Sequence, residues 1–431
     1  MYVKDALLIY GGNIQMKDEE YNINGDYSGC IAFTSQFYFC SIPLRLDTYQ
    51  GCGHQCKYCF ANLRSGKNFE KDRTKNYSIA KPETVERYME KAVNEKETAN
   101  IEVNAIKQGI PFHWGGMADP FPPIEKKHGI SLKVAKILEE YNYPCVISTK
   151  GKAFLEEKYL KQFSKNKCLV QFSIMNNNPR VIKKVEPGAS TLDERKQQIK
   201  LLKEIGLPVG IRLQPLIPIY FDWDKYIEMV NDLEVKYVTI EHLKLPLEEE
   251  KIKAISNIYK FDIKKEFKKI SGNLEPVKVY GREFELPGAV KYRILIANGI
   301  KQKFNDAGIK VGMGDNQLHQ FNDGECCCGV DTLTDFNIYK ANYTSMFKRK
   351  YDNYKYTDLI DNLLIPKGVV NVNSNSRPGD GSKATIINLL KWKWEHPRLN
   401  DSPSDTFNLV SDKVGRETIY HWSTCKQEVL F

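Results

Sequence analysis

Three cysteines, Cys52, Cys56 and Cys59, lie in the segment GCGHQCKYCF with the spacing C-x3-C-x2-C. Three thiolates can each bind one iron of a four-iron cubane and leave the fourth iron without a protein ligand. A catalytic metal keeps such an open position, whereas a structural site is closed by a fourth ligand. Gly51 and Gly53 flank the first cysteine and give the loop the backbone freedom to wrap around a bulky group. The alternative is a zinc site completed by His54 or by a distant cysteine. Zinc sites favour paired C-x2-C halves or a C-x2-C with an H-x3-H, and no second half of that kind occurs in the sequence.

Other candidates follow later apolar runs. In HWGGMADPFPPIE, Gly115 and Gly116 open the backbone to close approach, and Asp119 stands before a proline with Glu125 shortly after. ISTKGK places Lys150 where a cation could meet a carboxylate, and QFSIMN offers Ser173 and Asn176. Each has a plain reading when taken alone. A Gly-Gly pair is often a turn, and a single lysine is usually a solvated surface group.

Two features stand further on. Cys326, Cys327 and Cys328 are adjacent, and neighbouring side chains of an extended chain point to opposite sides. One metal could take Cys326 and Cys328, or one of the run and a distant thiol such as Cys425, but not all three without a tight turn. Cys327 or Cys328 could instead donate a hydrogen atom to a substrate radical, while the plain reading is a set of buried small residues. The stretch YKANYTSMFKRKYDNYKY, 339–356, carries five basic residues, one acidic residue and six aromatics. Cations tracking phosphates and rings stacking on bases suit single-stranded nucleic acid. Tyr339, Tyr343, Phe347, Tyr351 and Tyr354 also recur at helical spacing, which predicts a helix face packed on a core, and this reading is favoured.

These residues need a frame to hold them. The runs LRLDTY (44–49), IPFHWG (110–115), PCVIST (144–149), CLVQFSI (168–174), PVGIRLQ (208–214) and YVTIEHL (237–243) read as buried strands. Amphipathic helical patterns separate them at 83–96, 131–141, 154–163, 192–205 and 222–233. Six strands with five intervening helices form a βα repeat, and such crossovers imply a parallel sheet, either open and doubly wound or closing towards a barrel. Helical signal resumes at 246–269 and 290–307. From about 310 the texture changes, with the cysteine run, the basic aromatic stretch, a linker-like VNVNSNSRPGDGSK (370–383) and a short amphipathic ATIINLLKWKWE. The expected division is an N-terminal extension at 1–40, the βα unit at 41–310 and a C-terminal region at 311–431.

The chain has 431 residues, 42% hydrophobic and 27% charged, which fits a globular protein and excludes a disordered one. No apolar run approaches the roughly 20 residues of a membrane helix, and the N-terminus lacks a secretory signal. A cytoplasmic location is expected, where the eleven cysteines are thiols or metal ligands rather than disulfides. The net charge of +9 leans towards an acidic partner but is spread over 63 basic and 54 acidic residues.

The C-x3-C-x2-C motif, with an aromatic before its last cysteine and in a loop after the first strand of a βα repeat, resembles the radical S-adenosylmethionine (SAM) superfamily. Within it, the Thr-Lys pair at Lys150, the Phe-Ser-Ile at Ser173 and the stretch 186–218 with Glu186, Arg195, Gly206, Pro208, Gly210 and Pro215 resemble spore photoproduct lyases. The Asp119-Pro120-Phe121 run with Glu125 resembles DNA repair photolyase-like proteins. The likeness covers roughly residues 44–243. It implies an α/β fold, a partial parallel (β/α)6 barrel with an additional C-terminal region, and a [4Fe-4S] cluster on Cys52, Cys56 and Cys59 with SAM on the open iron. It further implies Tyr58 beside the adenine, Gly115 and Gly116 at the amino group, Asp119 in the same motif, and Lys150 and Ser173 against the rest of SAM. Reductive cleavage of SAM would give methionine and a 5′-deoxyadenosyl radical that abstracts a substrate hydrogen. The electron would come from a donor such as a flavodoxin or ferredoxin. The family's hydrogen-donating cysteine after the second strand is missing, since that loop reads Gly-Gly-Met, so the family's own repair reaction does not carry over. The expected substrate is a nucleic acid base, in repair or modification. The alternatives are a peptide or small metabolite with an auxiliary metal at the C-terminal cysteines, and a non-catalytic metal-stabilised nucleic-acid-binding module.

Overall fold

In a computed structural model the described residues are 22–422, apart from 35, 60, 62–75, 96–97, 99, 220, 247–248, 280–281, 287–289, 350, 362, 364–377, 383–384, 400–401 and 408. Cys425, Lys350, most of the 370–383 segment and the first part of the N-terminal extension lie outside them. An eight-stranded sheet forms the centre. Its strands are β1 (Ile31–Phe33), β2 (Leu44–Leu46), β3 (Phe112–Trp114), β4 (Cys145–Thr149), β5 (Cys168–Ser173), β6 (Val209–Leu216), β7 (Tyr237–His242) and β8 (Lys310–Met313). Their order is β8-β7-β6-β5-β4-β3-β2-β1, without pairing between the two ends. β2 to β8 run parallel and β1 is antiparallel to β2.

All six expected strands are present, and the α/β class with a mostly parallel central sheet holds. Two findings extend it. β8 adds a seventh parallel strand in a glycine-flanked segment where no strand is expected, because IKVGMG is short and lacks the apolar length of the others. The run 44–49 also splits. Asp47 and Thr48 turn the chain out of the sheet, and Tyr49–Gln50 pairs instead with Asn76–Ile79. The cysteine loop therefore starts from this small side sheet rather than from β2 itself.

Helices cross between the strands close to the predicted bounds, at Pro82–Asn94, Ile130–Glu140, Glu157–Phe163, Leu192–Glu204 and Trp223–Asp232. Their starts follow local chemistry. Thr191 and Glu194 form a reciprocal capping box, and the Asp222 side chain accepts from Lys225 N. Among the described residues no helix is long and apolar enough to cross a membrane.

The strands have two different faces, as a period of two requires. One face, with Ile147, Val170, Phe172, Ile211, Leu213, Val238 and Ile240, packs into the main core. The other carries Val146 and Leu169, which pack with Ile42, Cys326, Cys328, Val330 and Ile338 in a separate cluster. The cysteine run thus covers the inner face of the sheet. Its backbone is pinned there: Tyr237 and Thr239 donate to Cys326 O (3.0 Å) and Cys327 O (2.8 Å), and Gln171 Nε2 donates to Cys328 O (2.9 Å).

The aromatic stretch 339–356 departs from a single long helix. Only Tyr343–Lys348 is helical before a second short helix begins at Tyr356. Asn342 caps the first, and Tyr354 leaves to pair with Tyr420. The rings still serve a core, as the favoured reading held: Tyr339, Tyr343, Phe347 and Tyr354 are buried, and Phe347 stands against Trp394 and Phe407. Lys348 is not a surface cation either. Its ammonium donates to Asn322 O, and burial pushes its pKa down to about 8.

Close approach makes one glycine indispensable. A Cβ on Gly312 of β8 would lie 2.1 Å from Cys327 O and 2.5 Å from the Tyr237 hydroxyl. Gly312→Ala should lower the unfolding free energy by about 1–3 kcal/mol in urea. Gly299→Ala, in the Val290–Asp306 helix with nothing within 4 Å of the new methyl, should be neutral or raise it. Equal effects of the two would contradict the packing of the cysteine run on β8.

Candidate active site

The segments that follow β3, β4 and β5 meet at the cysteine loop. Cys52, Cys56 and Cys59 are all half-buried. Cys59 N donates to Cys56 O at 3.2 Å, which closes a turn with Lys57 and Tyr58 at its corners. Lys57 points to solvent, and its N–H donates to Val185 O (2.9 Å). Tyr58 is buried, and its hydroxyl donates to Glu186. The corner residues therefore fix the turn from both sides.

Beneath the loop, glycine lets two backbones touch. Gly188 N donates to His54 O at 3.0 Å, and a Cβ on Gly188 would lie 2.3 Å from Gly53 O. His54 Nδ1 lies 3.1 Å from Gly188 O, and its Nε2 lies 3.2 Å from the Asp119 carboxylate. Both ring nitrogens thus face protein oxygens. Asp119 also accepts from Phe121 N (2.9 Å), Thr149 Oγ1 (2.8 Å) and Lys150 N (2.6 Å). Burial works against its ionisation, but His54 and the backbone donors outweigh that and hold the carboxyl below its usual range.

Glu186 and Arg195 form a second tie. Their ion pair is 2.6 Å long and wholly buried. Arg195 also donates to Ser173 O (2.7 Å) and Ser190 O (2.7 Å), and Ser190 Oγ donates to Lys150 O (2.7 Å). Burial raises the Glu186 carboxyl, and Arg195 opposes the shift. Glu186 and Arg195 stand in the sequence pattern without a role, because nothing in one dimension tells a buried pair from two surface charges.

Of the other predicted residues, Gly115 has φ +97° and donates to Leu46 O, and a Cβ there would meet Ser148 O at 2.4 Å. Gly116 is different, with only the Arg45 side chain at 3.8 Å. Glu125 is a buried acceptor for Tyr49, Tyr159, Ser131 N and Leu132 N, away from the loop chemistry. The Lys150 ammonium lies 5.9 Å from the Tyr58 ring and makes no hydrogen bond or ion pair among the described residues. Ser173 ends β5 in register with Arg212.

Arg212 belongs to a polar layer on the inner face of the sheet that the sequence reading passed over. It donates to Cys328 Sγ (3.4 Å), Gln171 Oε1 (3.3 Å) and Gln214 Oε1 (2.7 Å), and Glu241 lies 3.7 Å away. Cys327 Sγ and Cys328 Sγ are 3.9 Å apart. Hydrogen bonds from its two neighbouring thiols, with Arg212 and His113 nearby, hold Cys328 well below the usual thiol range. Cys326 and Cys327 are pushed up by the same contacts and by burial.

The loop's donor set suits a cluster. Burial pushes Cys52 up to about 12 and Cys56 well upward, so both are thiols until a metal displaces their protons. Among the described residues no three His, Cys, Asp or Glu side chains converge to hold a single metal ion, in this loop or at Cys326–Cys328. A cubane takes one thiolate per iron, so its ligands need not converge on one point.

Residues 46–233 match the family model described as the Radical SAM superfamily. The matched residues take in the cysteine loop, strands β3 to β6 and the helices between them. The chain is 25% identical over 214 residues to the spore photoproduct lyase of Clostridium acetobutylicum, over 47% of this chain. It spans 57% of that relative's length. Among solved structures, a spore photoproduct lyase variant aligns at 17% identity with a TM-score of 0.46, over 66% of this chain and 77% of the other. Streptococcus suis SuiB bound to S-adenosylmethionine aligns at 10% identity with a TM-score of 0.40, over 65% and 52%.

The Glu186–Arg195 pair generates a stability test. Arg195→Met leaves a buried carboxylate unpaired and should cost about 3–5 kcal/mol in urea unfolding. Adding Glu186→Gln should recover a large part of that loss. A double variant as unstable as the sum of both singles would show that the two groups act independently.

Proposed function

We propose that the chain is a radical SAM enzyme in which Cys52, Cys56 and Cys59 hold a [4Fe-4S] cluster. The observation that carries the reading is the C-x3-C-x2-C loop at the carboxyl edge of a parallel sheet, inside the segment that matches the family. When bound, the cluster and SAM supply one-electron cleavage of the sulfonium and a carbon radical able to take a hydrogen atom. The protein's part is positional. Lys150 offers an unpaired cation to the SAM carboxylate, and Gly116 gives backbone access at its amino group. Tyr58 bounds the adenine side, held in place by Glu186. Ser173 faces the same space from the end of β5. Asp119 is engaged by four donors and acts as a positioning residue that aligns the cluster loop with Lys150.

The proposed substrate is a nucleic acid base, and the support is the likeness to a spore photoproduct lyase. The 339–356 rings contribute nothing to it, since all but Tyr351 and the half-buried Tyr356 are buried. Cys327 is the better hydrogen donor of the pair, because it is half-buried whereas Cys328 is buried with its sulfur engaged by Arg212. A flavodoxin or ferredoxin supplies the electron.

Protein purified without oxygen should contain about four irons per chain. Cys56→Ala should lose both the brown colour and the release of 5′-deoxyadenosine on dithionite reduction with SAM. A colourless variant that still cleaves SAM would overturn the assignment. Lys150→Ala should keep the iron while weakening SAM binding by about 1.5–3 kcal/mol, a charge-assisted contact, read by equilibrium dialysis. Cys327→Ala should still release 5′-deoxyadenosine from SAM but fail to complete turnover of a modified oligonucleotide.

A further inference from the structure

The cysteine loop presents a second chemistry on its outer side. In the Cys56–Cys59 turn one corner, Tyr58, faces inward to Glu186 and the other, Lys57, faces solvent. Lys57 N is bonded to Val185 O, the last residue of the Pro179–Val185 helix. That helix carries Arg180, Lys183 and Lys184 at i, i+3 and i+4, a spacing that places them on one face, and all three are exposed. Its buried side is Ile182 and Val185. None of the four cations makes an ion pair among the described residues, whereas Lys152 pairs with Glu194 and Lys203 with Glu234. The nearest carboxylate along the chain, Glu186, is buried and already held by Arg195.

We infer that the face formed by Lys57, Arg180, Lys183 and Lys184 docks an acidic one-electron carrier protein. This inference rests on the cluster reading above and adds the place where the electron enters. Four unpaired cations in one patch attract an anionic surface and speed encounter. The position selects the partner. Lys57 stands between two of the cluster's ligands, and the thiols beneath it are half-buried, so a protein seated here lies against the cluster edge. In the transfer the carrier loses one electron and the cluster gains one, with no atom exchanged. A nucleic acid substrate would instead have to reach the inner side of the loop, where Tyr58 and Lys150 lie.

The test uses a purified flavodoxin and the cluster-loaded enzyme. Flavodoxin binding, followed by quenching of its flavin fluorescence, should weaken as salt rises. In the Lys183→Glu/Lys184→Glu variant, and separately in Lys57→Glu, the Kd should rise roughly tenfold or more. Dithionite-driven release of 5′-deoxyadenosine should be unchanged in the Lys183→Glu/Lys184→Glu variant, whereas its flavodoxin-driven release should fall. An unaltered Kd in both variants, or binding insensitive to salt, overturns the proposal. So does loss of single-stranded DNA retention with flavodoxin binding intact, which would assign the patch to nucleic acid. Failure of dithionite to drive cleavage in the wild-type protein would instead count against the cluster reading itself.

Discussion

Asp119 is a buried carboxylate that four groups from three segments of the chain address at once. His54 comes from the cysteine loop, Phe121 N from its own loop after β3, and Thr149 and Lys150 N from the end of β4. Removing any one donor leaves the rest to satisfy a charge in a medium that solvates it poorly. The loops are thereby held in one register, and the cysteine loop inherits the geometry of the sheet although it does not continue a sheet strand. Gly188 adds a contact from the segment after the Pro179–Val185 helix, possible because it has no Cβ, which would lie 2.3 Å from Gly53 O. Glu186 and Arg195 then carry the tie onward to Ser173, Ser190 and the carbonyl of Lys150.

The inner face of the sheet is organised on the same physical rule at a different level. Gln171, Arg212 and Thr239 are buried polar groups on three neighbouring strands, and each finds its partner in the cysteine run or in the next strand. A buried guanidinium is costly unless its donors are used, and Arg212 uses them on Cys328, Gln171 and Gln214. The cysteine run is thus both plug and acceptor. That dual role explains why three small, adjacent residues of one type occupy a segment whose backbone carbonyls do much of the bonding.

The strands, their parallel order and the crossing helices were legible because each is written in local periodicity. β8 was not, since four residues flanked by glycines carry too little pattern, and only β7 beside it makes Lys310–Met313 a strand. The three cysteines proposed as cluster ligands stand out by spacing alone. Their supports were not legible: Asp119 and Lys150 stand out as types, but the ring of His54 between Asp119 and Gly188 is a relation among residues far apart in the chain, 134 positions in the case of His54 and Gly188. The 339–356 stretch shows the same limit. Its periodicity announces buried rings correctly, yet the chain breaks the helix at Lys348 to bring Tyr354 to Tyr420.

The distribution of charge in the site follows from these ties. Asp119 has His54, Glu186 has Arg195, and Glu241 has both Arg212 and Lys244. His242 has Asp315 at 2.7 Å. Against this background Lys150 stands out, because its backbone is clamped at both ends, N to Asp119 and O to Ser190, while its ammonium has no anionic partner among the described residues. A half-buried lysine held by its backbone has little freedom to swing to solvent, so the cost of its desolvation is offset only if an anion arrives. The Lys150 ammonium lies 5.9 Å from the centre of the Tyr58 ring. That position follows from the tertiary ties of Asp119 and Glu186, not from Lys150 itself.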